Sequence, residues 1–167
     1  LRAVEEDSAV RSRMLVRRKV LADERVTMLH SSPFRSIPES VLARIRALEH
    51  RGLRRREGAV YSTARIRTIA PTRIRQMNPD SVILHWLGDS VMSVEQVGTL
   101  ASSGPAVYWV LHDTWAFCGA EHYPRDSSST GFVDGYASSA SLEDARAADL
   151  NRRVWERKRE HWSRPIH

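Results

Sequence analysis

Two unbroken apolar runs, SVILHW at 81–86 and AVYWVL at 106–111, flank one short segment with clear start and stop signals. Runs of this length and β-rich make-up suit strands buried on both faces, the usual condition in a parallel sheet. The turn Asn78-Pro79-Asp80 opens the first run. Ser93 stands before VEQVGTLASSG, and Gln96 occupies the position that completes a capping box. Gly104-Pro105 then stops the helix. Strand, short helix, strand is a βαβ unit, so the two strands run parallel. His85 ends the first run and His112 follows the second. Neighbouring parallel strands lie ~4.8 Å apart and point the same way. Both imidazoles therefore reach the carboxyl edge of one sheet, where open α/β sheets bind their ligands.

The stretch YWVLHDTWAFCGAEHY at 108–123 concentrates further chemistry beyond the second strand. His112 and Asp113 are followed by Trp115, Phe117, the chain's one cysteine, Gly119, Glu121, His122 and Tyr123. A single histidine after a buried strand is ordinarily a hydrogen-bonded structural residue. His112 stands out because Asp113 and a residue-rich loop follow it; His85 and His122 are open between the two readings. Trp86, Trp115 and Phe117 suit stacking on a sugar or base, although core packing is the commoner fate of such rings. His85, His112, Asp113, Glu121 and His122 are all acceptable zinc or manganese ligands. None forms a tight H-x-H or H-x-x-x-H pair, so no metal is expected. Cys118, beside Phe117, reads as a small packed residue. Neither a G-x-G-x-x-G nor a Walker loop is present, and no G-x-S-x-G.

Elsewhere the pattern is weaker. AVRSRMLV at 9–16 suits a short strand and 26–30 a second extended piece. Residues 38–56 place Val41, Leu42, Ile45 and Leu48 near helical spacing, with arginines opposite and Gly52 as an interruption. Residues 59–69 alternate loosely and read as a strand. Residues 124–141 are Ser- and Gly-rich and read as a long loop, and 141–162 as a helix opened by SLED. On that helix Leu150, Val154, Trp155, Lys158, His161 and Trp162 share a side.

The chain's 167 residues suit one domain. Lys and Arg number 26 against 20 Asp and Glu, a formal charge of +6. Such a surplus attracts phosphate, whether of a nucleotide, an anionic lipid or a nucleic acid. Here the charge is spread and interleaved with acids, which describes a solvated surface; no nucleic-acid partner is expected, and the RRRE run at 54–57 reads as a solvated helix end. One cysteine makes no internal disulfide, so a cytoplasmic setting is expected. No run approaches the roughly 20 apolar residues of a membrane span. The opening LRAVEEDSAV reads like a helix tail leading into a strand, and the closing RPIH like a strand beginning, so a piece of a larger protein is expected.

NPDSVILHWLGDSVMSVEQV (78–97), followed by VYWVLHDTWAFCGAEHY (107–123), resembles the amino-terminal domain of GT-B glycosyltransferases of family 4, in particular those that build bacterial surface polysaccharides. The carriers are Pro79, Asp80, Leu84, His85 and Trp86, then Leu111, His112, Asp113, Trp115, Phe117, Gly119, His122 and Tyr123. DLNRRVWERKREHW (149–162) resembles a helix of the same group through Asp149, Leu150, Asn151, Arg152, Trp155, Arg157 and Lys158. The resemblance spans residues 78–162, about half the chain. It implies a Rossmann-like three-layer parallel α/β sheet with helices on both faces, one half of a GT-B fold. On that reading residues 1–167 form a partial acceptor-side domain. The first strand would lie before Leu1, and a donor-binding domain with an acidic E-x7-E motif beyond His167.

The implied activity is metal-independent transfer of a sugar from a nucleotide-sugar donor to a glycan or lipid-linked acceptor, with no further cofactor. His112 would face the donor sugar as a catalytic residue, and Asp113 would hold that ring or bind an acceptor hydroxyl. His85, Trp86, Gly88, Trp115, Gly119, Glu121, His122 and Tyr123 would bind substrate. The positive surface suits peripheral contact with the anionic inner face of the plasma membrane. Two other classes stay open on the residues alone: a metal-dependent hydrolase using His85, His112 and His122, and a basic binding module without catalysis.

Overall fold

A computed structural model describes residues 10–16, 19–20, 22–28, 39–49, 60–65, 71–88, 91–124, 131–137 and 142–167. The chain divides into two compact units, 1–36 and 37–167. In the first, β1 (Met14–Val16) pairs in parallel with β2 (Val26–Met28), Met14 opposite Val26. β1 is shorter than the sequence pattern suggested, β2 fills the described part of its expected span, and residues 9, 29 and 30 lie outside the described residues. Asp23 shapes the turn into β2. Its carboxylate accepts from the Arg25 backbone N–H at 2.9 Å and from the Arg25 guanidinium at 2.7 and 3.0 Å. These hydrogen bonds hold the Asp23 carboxyl well below the usual carboxylate range.

The second unit contains α1 (Glu39–Glu49), α2 (Pro71–Gln76), β3 (Ser81–Leu84), α3 (Val94–Ala101), β4 (Ala106–Trp109), α4 (Gly131–Asp134) and α5 (Leu142–His161). β3 and β4 are parallel neighbours in the register Ser81↔Ala106 to Leu84↔Trp109, joined through α3 as the βαβ reading required. The α3 start is built as the sequence specifies. Ser93 Oγ accepts the Gln96 N–H at 3.2 Å, and Gln96 Oε1 accepts the Ser93 N–H at 3.0 Å. Val94, Val97 and Leu100 then present one fully buried apolar face. RPIH forms no strand, and of its residues His167 alone bonds to β4. His167 N–H donates to Val107 O at 2.9 Å, and Trp109 N–H donates to His167 O at 2.7 Å, the bonding of a parallel neighbour of β4.

Three expectations need correction. β3 and β4 are not buried on both faces. Leu84 and Val107 point into the core, but Ile83 is 59% exposed and its cross-strand partner Tyr108 46%. Among the described residues α3 contacts β4, and the alternate positions of the strands remain uncovered. Residues 60–65 are not a strand. They form a single antiparallel bridge, Tyr61 to Glu121, and the chain turns at Ala64 with φ 45°; residues 66–70 lie outside the described residues. The helix α2 was not anticipated, although Pro71 occupies the first helical position, where its missing N–H costs nothing. Within the 124–141 loop Gly131–Asp134 forms one helical turn, and residues 50–59 and 125–130 lie outside the described set. The two parallel pairs and the helices make this an α/β chain. No described helix is long and apolar enough to cross a membrane.

α3 and α5 pack closely at Gly98, where a Cβ would overlap the backbone carbonyl of His161. Trp162, one residue beyond α5, donates its indole N–H to Val94 O at 2.8 Å and fixes the register of that contact. Gly98→Ala is therefore expected to push the helices apart and to cost about 1–3 kcal/mol, read as a lowered midpoint in urea unfolding; an unchanged midpoint would show that the helices have room to spare.

Candidate functional site

The site is formed by the chain leaving β3, the loop leaving β4, and α5, which holds that loop from behind. The loop residues 113–122 have few partners in regular structure, so their backbone groups must be satisfied elsewhere. α5 satisfies five of them, three carbonyls through Lys158 and two amides through Asn151. The Lys158 ammonium, 4% exposed as a residue, donates to the carbonyls of Trp115, Cys118 (2.9 Å) and Gly119 (2.7 Å). It also lies 3.8 Å from the Trp115 ring centroid and 5.6 Å from that of Trp162. Burial pushes the Lys158 pKa well below the ordinary lysine value, and the nearby Cys118, Asp113 and Glu121 oppose the shift only in part.

Two turns earlier, Asn151 Oδ1 accepts the N–H groups of Ala120 (2.9 Å) and Glu121 (3.1 Å). Gly119 permits this approach, because a Cβ there would overlap the Asn151 backbone. Glu121 is buried as well. It accepts from Asn151 Nδ2 at 3.2 Å and from the Tyr136 hydroxyl at 2.9 Å, and that hydroxyl accepts the Gly119 N–H at 2.7 Å. Burial pushes the Tyr136 phenol pKa up, and the nearby Glu121 carboxylate adds to the rise. Cys118 is fully buried, and burial raises its thiol pKa, as a packing role requires.

Held in this way, the loop brings seven of the ten site residues expected from sequence around one shallow cleft: His85, Trp86, Gly88, His112, Asp113, Trp115 and His122. His85 Nδ1 and His112 Nε2 lie 3.1 Å apart at its exposed rim, one ring donating to the other, with centroids 5.4 Å apart. The two imidazoles thus share one edge, as parallel neighbouring strands dictate. Trp86 is 43% exposed. Its ring stacks on buried His122 at 4.7 Å and 25°, and Gly88 leaves it room, since a Cβ there would strike the indole.

His122, 1% exposed, lies between the indoles of Trp86 and Trp115. Its Nδ1–H donates to Asp113 Oδ2 at 2.7 Å, because a carboxylate only accepts, and its Nε2 lies 2.8 Å from Ser62 Oγ. Asp113 Oδ1 accepts the Trp115 N–H at 2.8 Å. Asp113 therefore holds the ring of His122, not that of His112 as the resemblance had implied. Gly119, Glu121 and Tyr123 do not line the cleft: the first two are packed against α5 and Tyr123 projects outward at 56% exposure. Among the described residues no three His, Cys, Asp or Glu side chains converge as a metal-ligand set.

Ser62, Tyr136 and the loop-holding roles of Asn151 and Lys158 were missed from sequence. Ser62 and Tyr136 give no local signal of contacts made 60 and 15 residues away. A similar brace joins α5 to α3. Arg157 donates to Glu95 Oε1 at 2.5 and 3.0 Å and to Thr63 O at 2.8 Å. Partial burial raises the Glu95 pKa, but the Arg157 hydrogen bonds outweigh it and hold the group below 4.5. No protein-family model, curated protein or solved structure matches the chain.

Two outcomes follow. Lys158→Met leaves three carbonyls without a donor, at about 1–3 kcal/mol each where no water replaces it; the expected loss is on the order of 3 kcal/mol or more in chemical denaturation, and a loss below ~1 kcal/mol would contradict the clamp. Glu95 has a lowered folded-state pKa, so its contribution is complete above pH 4.5 and disappears as pH falls through the lowered value. Glu95→Gln should flatten stability against pH in that acid window and leave its slope near neutrality unchanged.

Proposed function

We propose that this chain is the acceptor-side, Rossmann-like half of a GT-B glycosyltransferase that moves a sugar from a nucleotide-sugar donor to a glycan or lipid-linked acceptor in bacterial polysaccharide synthesis. The observation that carries the reading is the His85–His112 pair, exposed and in contact at the carboxyl edge of a parallel sheet. That edge is where such folds bind substrates. A rim imidazole that donates to a sugar hydroxyl orients the donor and binds it more tightly as charge develops in the transition state. His112 takes that role, and His85 fixes its ring and tautomer. Trp86 supplies a flat, half-exposed surface beside them. Asp113 acts from behind by positioning His122 and the loop start; it does not meet substrate. The wider three-layer sheet, the separate donor-binding domain and a site of action at the inner face of the plasma membrane belong to this same reading.

The hydrolase alternative needs His122 as a metal ligand beside His85 and His112. Both nitrogens of His122 already have partners, Asp113 and Ser62, which disfavours that set. A purely binding role rests on spread positive charge alone and gives no account of paired imidazoles at a sheet edge.

In the full-length gene product that contains this chain, His112→Ala is expected to lower sugar-transfer turnover by about 100-fold or more with donor KM little changed. Turnover retained within a few-fold would remove His112 from the chemistry and the assignment with it.

A further inference from the structure

Ser62, from the 60–65 segment, meets the loop residues His122 and Asp113 in one hydrogen-bonded line. Ser62 Oγ lies 2.8 Å from His122 Nε2, and His122 Nδ1 lies 2.7 Å from Asp113 Oδ2. These are the atoms that a hydroxyl nucleophile, its general base and the group that orients the base must bring together. The ring is nearly sealed from water between two indoles, so its hydrogen bonds act in a low dielectric. Asp113 is itself fixed by the Trp115 N–H. Ser62 is only partly buried and sits in irregular backbone, two residues before Ala64 at φ 45°, a conformation uncommon for a residue with a side chain. The sugar-transfer reading uses neither Ser62 nor the Nε2 face of His122.

We propose that Ser62 is an activated nucleophile, primed by His122 and Asp113 for attack on acyl or phosphonyl centres. In the step, Oγ bonds to the carbonyl carbon or phosphorus as its proton passes to His122 Nε2. The bond to the leaving group then breaks, and the leaving group departs with that proton. The nearest amides are committed, Ser62 N–H to Ala120 O at 2.7 Å and His122 N–H to Val60 O at 3.0 Å. The expected chemistry is therefore formation of a stable acyl- or phosphonyl-serine, without fast turnover.

The test uses an alkyl fluorophosphonate, which loses fluoride on attack. The intact chain is incubated with the probe, and the adduct is located by peptide mass spectrometry. A single adduct on Ser62 is expected, absent in Ser62→Ala and formed at least about 100-fold more slowly in Asp113→Asn and His122→Gln. No adduct on the folded wild-type chain would overturn the proposal, because this outcome does not depend on any variant folding. So would an adduct on Ser62 whose rate the Asp113 and His122 substitutions leave unchanged in variants with wild-type circular dichroism. Neither result bears on sugar transfer, whose test lies at His112.

Discussion

An ammonium group that gives all its protons to main-chain carbonyls determines where the rest of this site sits. The loop after β4 is rich in side chains and poor in regular hydrogen bonding, and an unsupported loop of that kind would exchange many conformations. Lys158 gathers the carbonyls of Trp115, Cys118 and Gly119 around one charge, and Asn151 takes the two amides that follow. Two turns of α5 thus do for part of the loop what a neighbouring strand would do, satisfying donors and acceptors in succession. The cost is a buried charge, offset by three carbonyls and an indole face.

Consequences run outward from that clamp. With Trp115 pinned, its indole closes one side of His122, and Trp86 closes the other. His122 then ties Asp113 to Ser62, joining the loop to the 60–65 segment already bridged at Tyr61 and Glu121. His112 emerges from the same loop beside His85, which the parallel register of β3 and β4 has placed at the same edge. The exposed imidazoles are thus the outer end of a chain of contacts that begins at a buried lysine. Arg157, one residue before Lys158, extends the bracing to α3 through Glu95.

What could be read in the residues was local. The Ser93 capping box, the parallel order of the two apolar runs and the convergence of His85 with His112 depend on short-range pattern and on one rule of sheet topology. The α5 face was legible as a helix side, but apolar spacing said nothing of why a lysine and an asparagine lie on it. Their partners are backbone groups some 30 to 40 residues earlier, which carry no side-chain signature. Residues 60–65 misled for a related reason. Their β-rich composition reflects one bridge and a packed edge, and the positive φ at Ala64 has no glycine to announce it. The open face of β3 and β4 shows the same limit: apolar composition marks what a strand is able to bury, and coverage is decided by elements elsewhere.

Amide hydrogen exchange on the chain tests the clamp directly, at Ala120 and Glu121, whose N–H groups meet Asn151. If α5 holds the loop, these amides exchange as slowly as the central amides of α5 itself, and opening requires the helix to come away. If they exchange at the rate of free loop amides while α5 stays protected, the loop is not held from behind, and the placement of the histidines loses its physical basis.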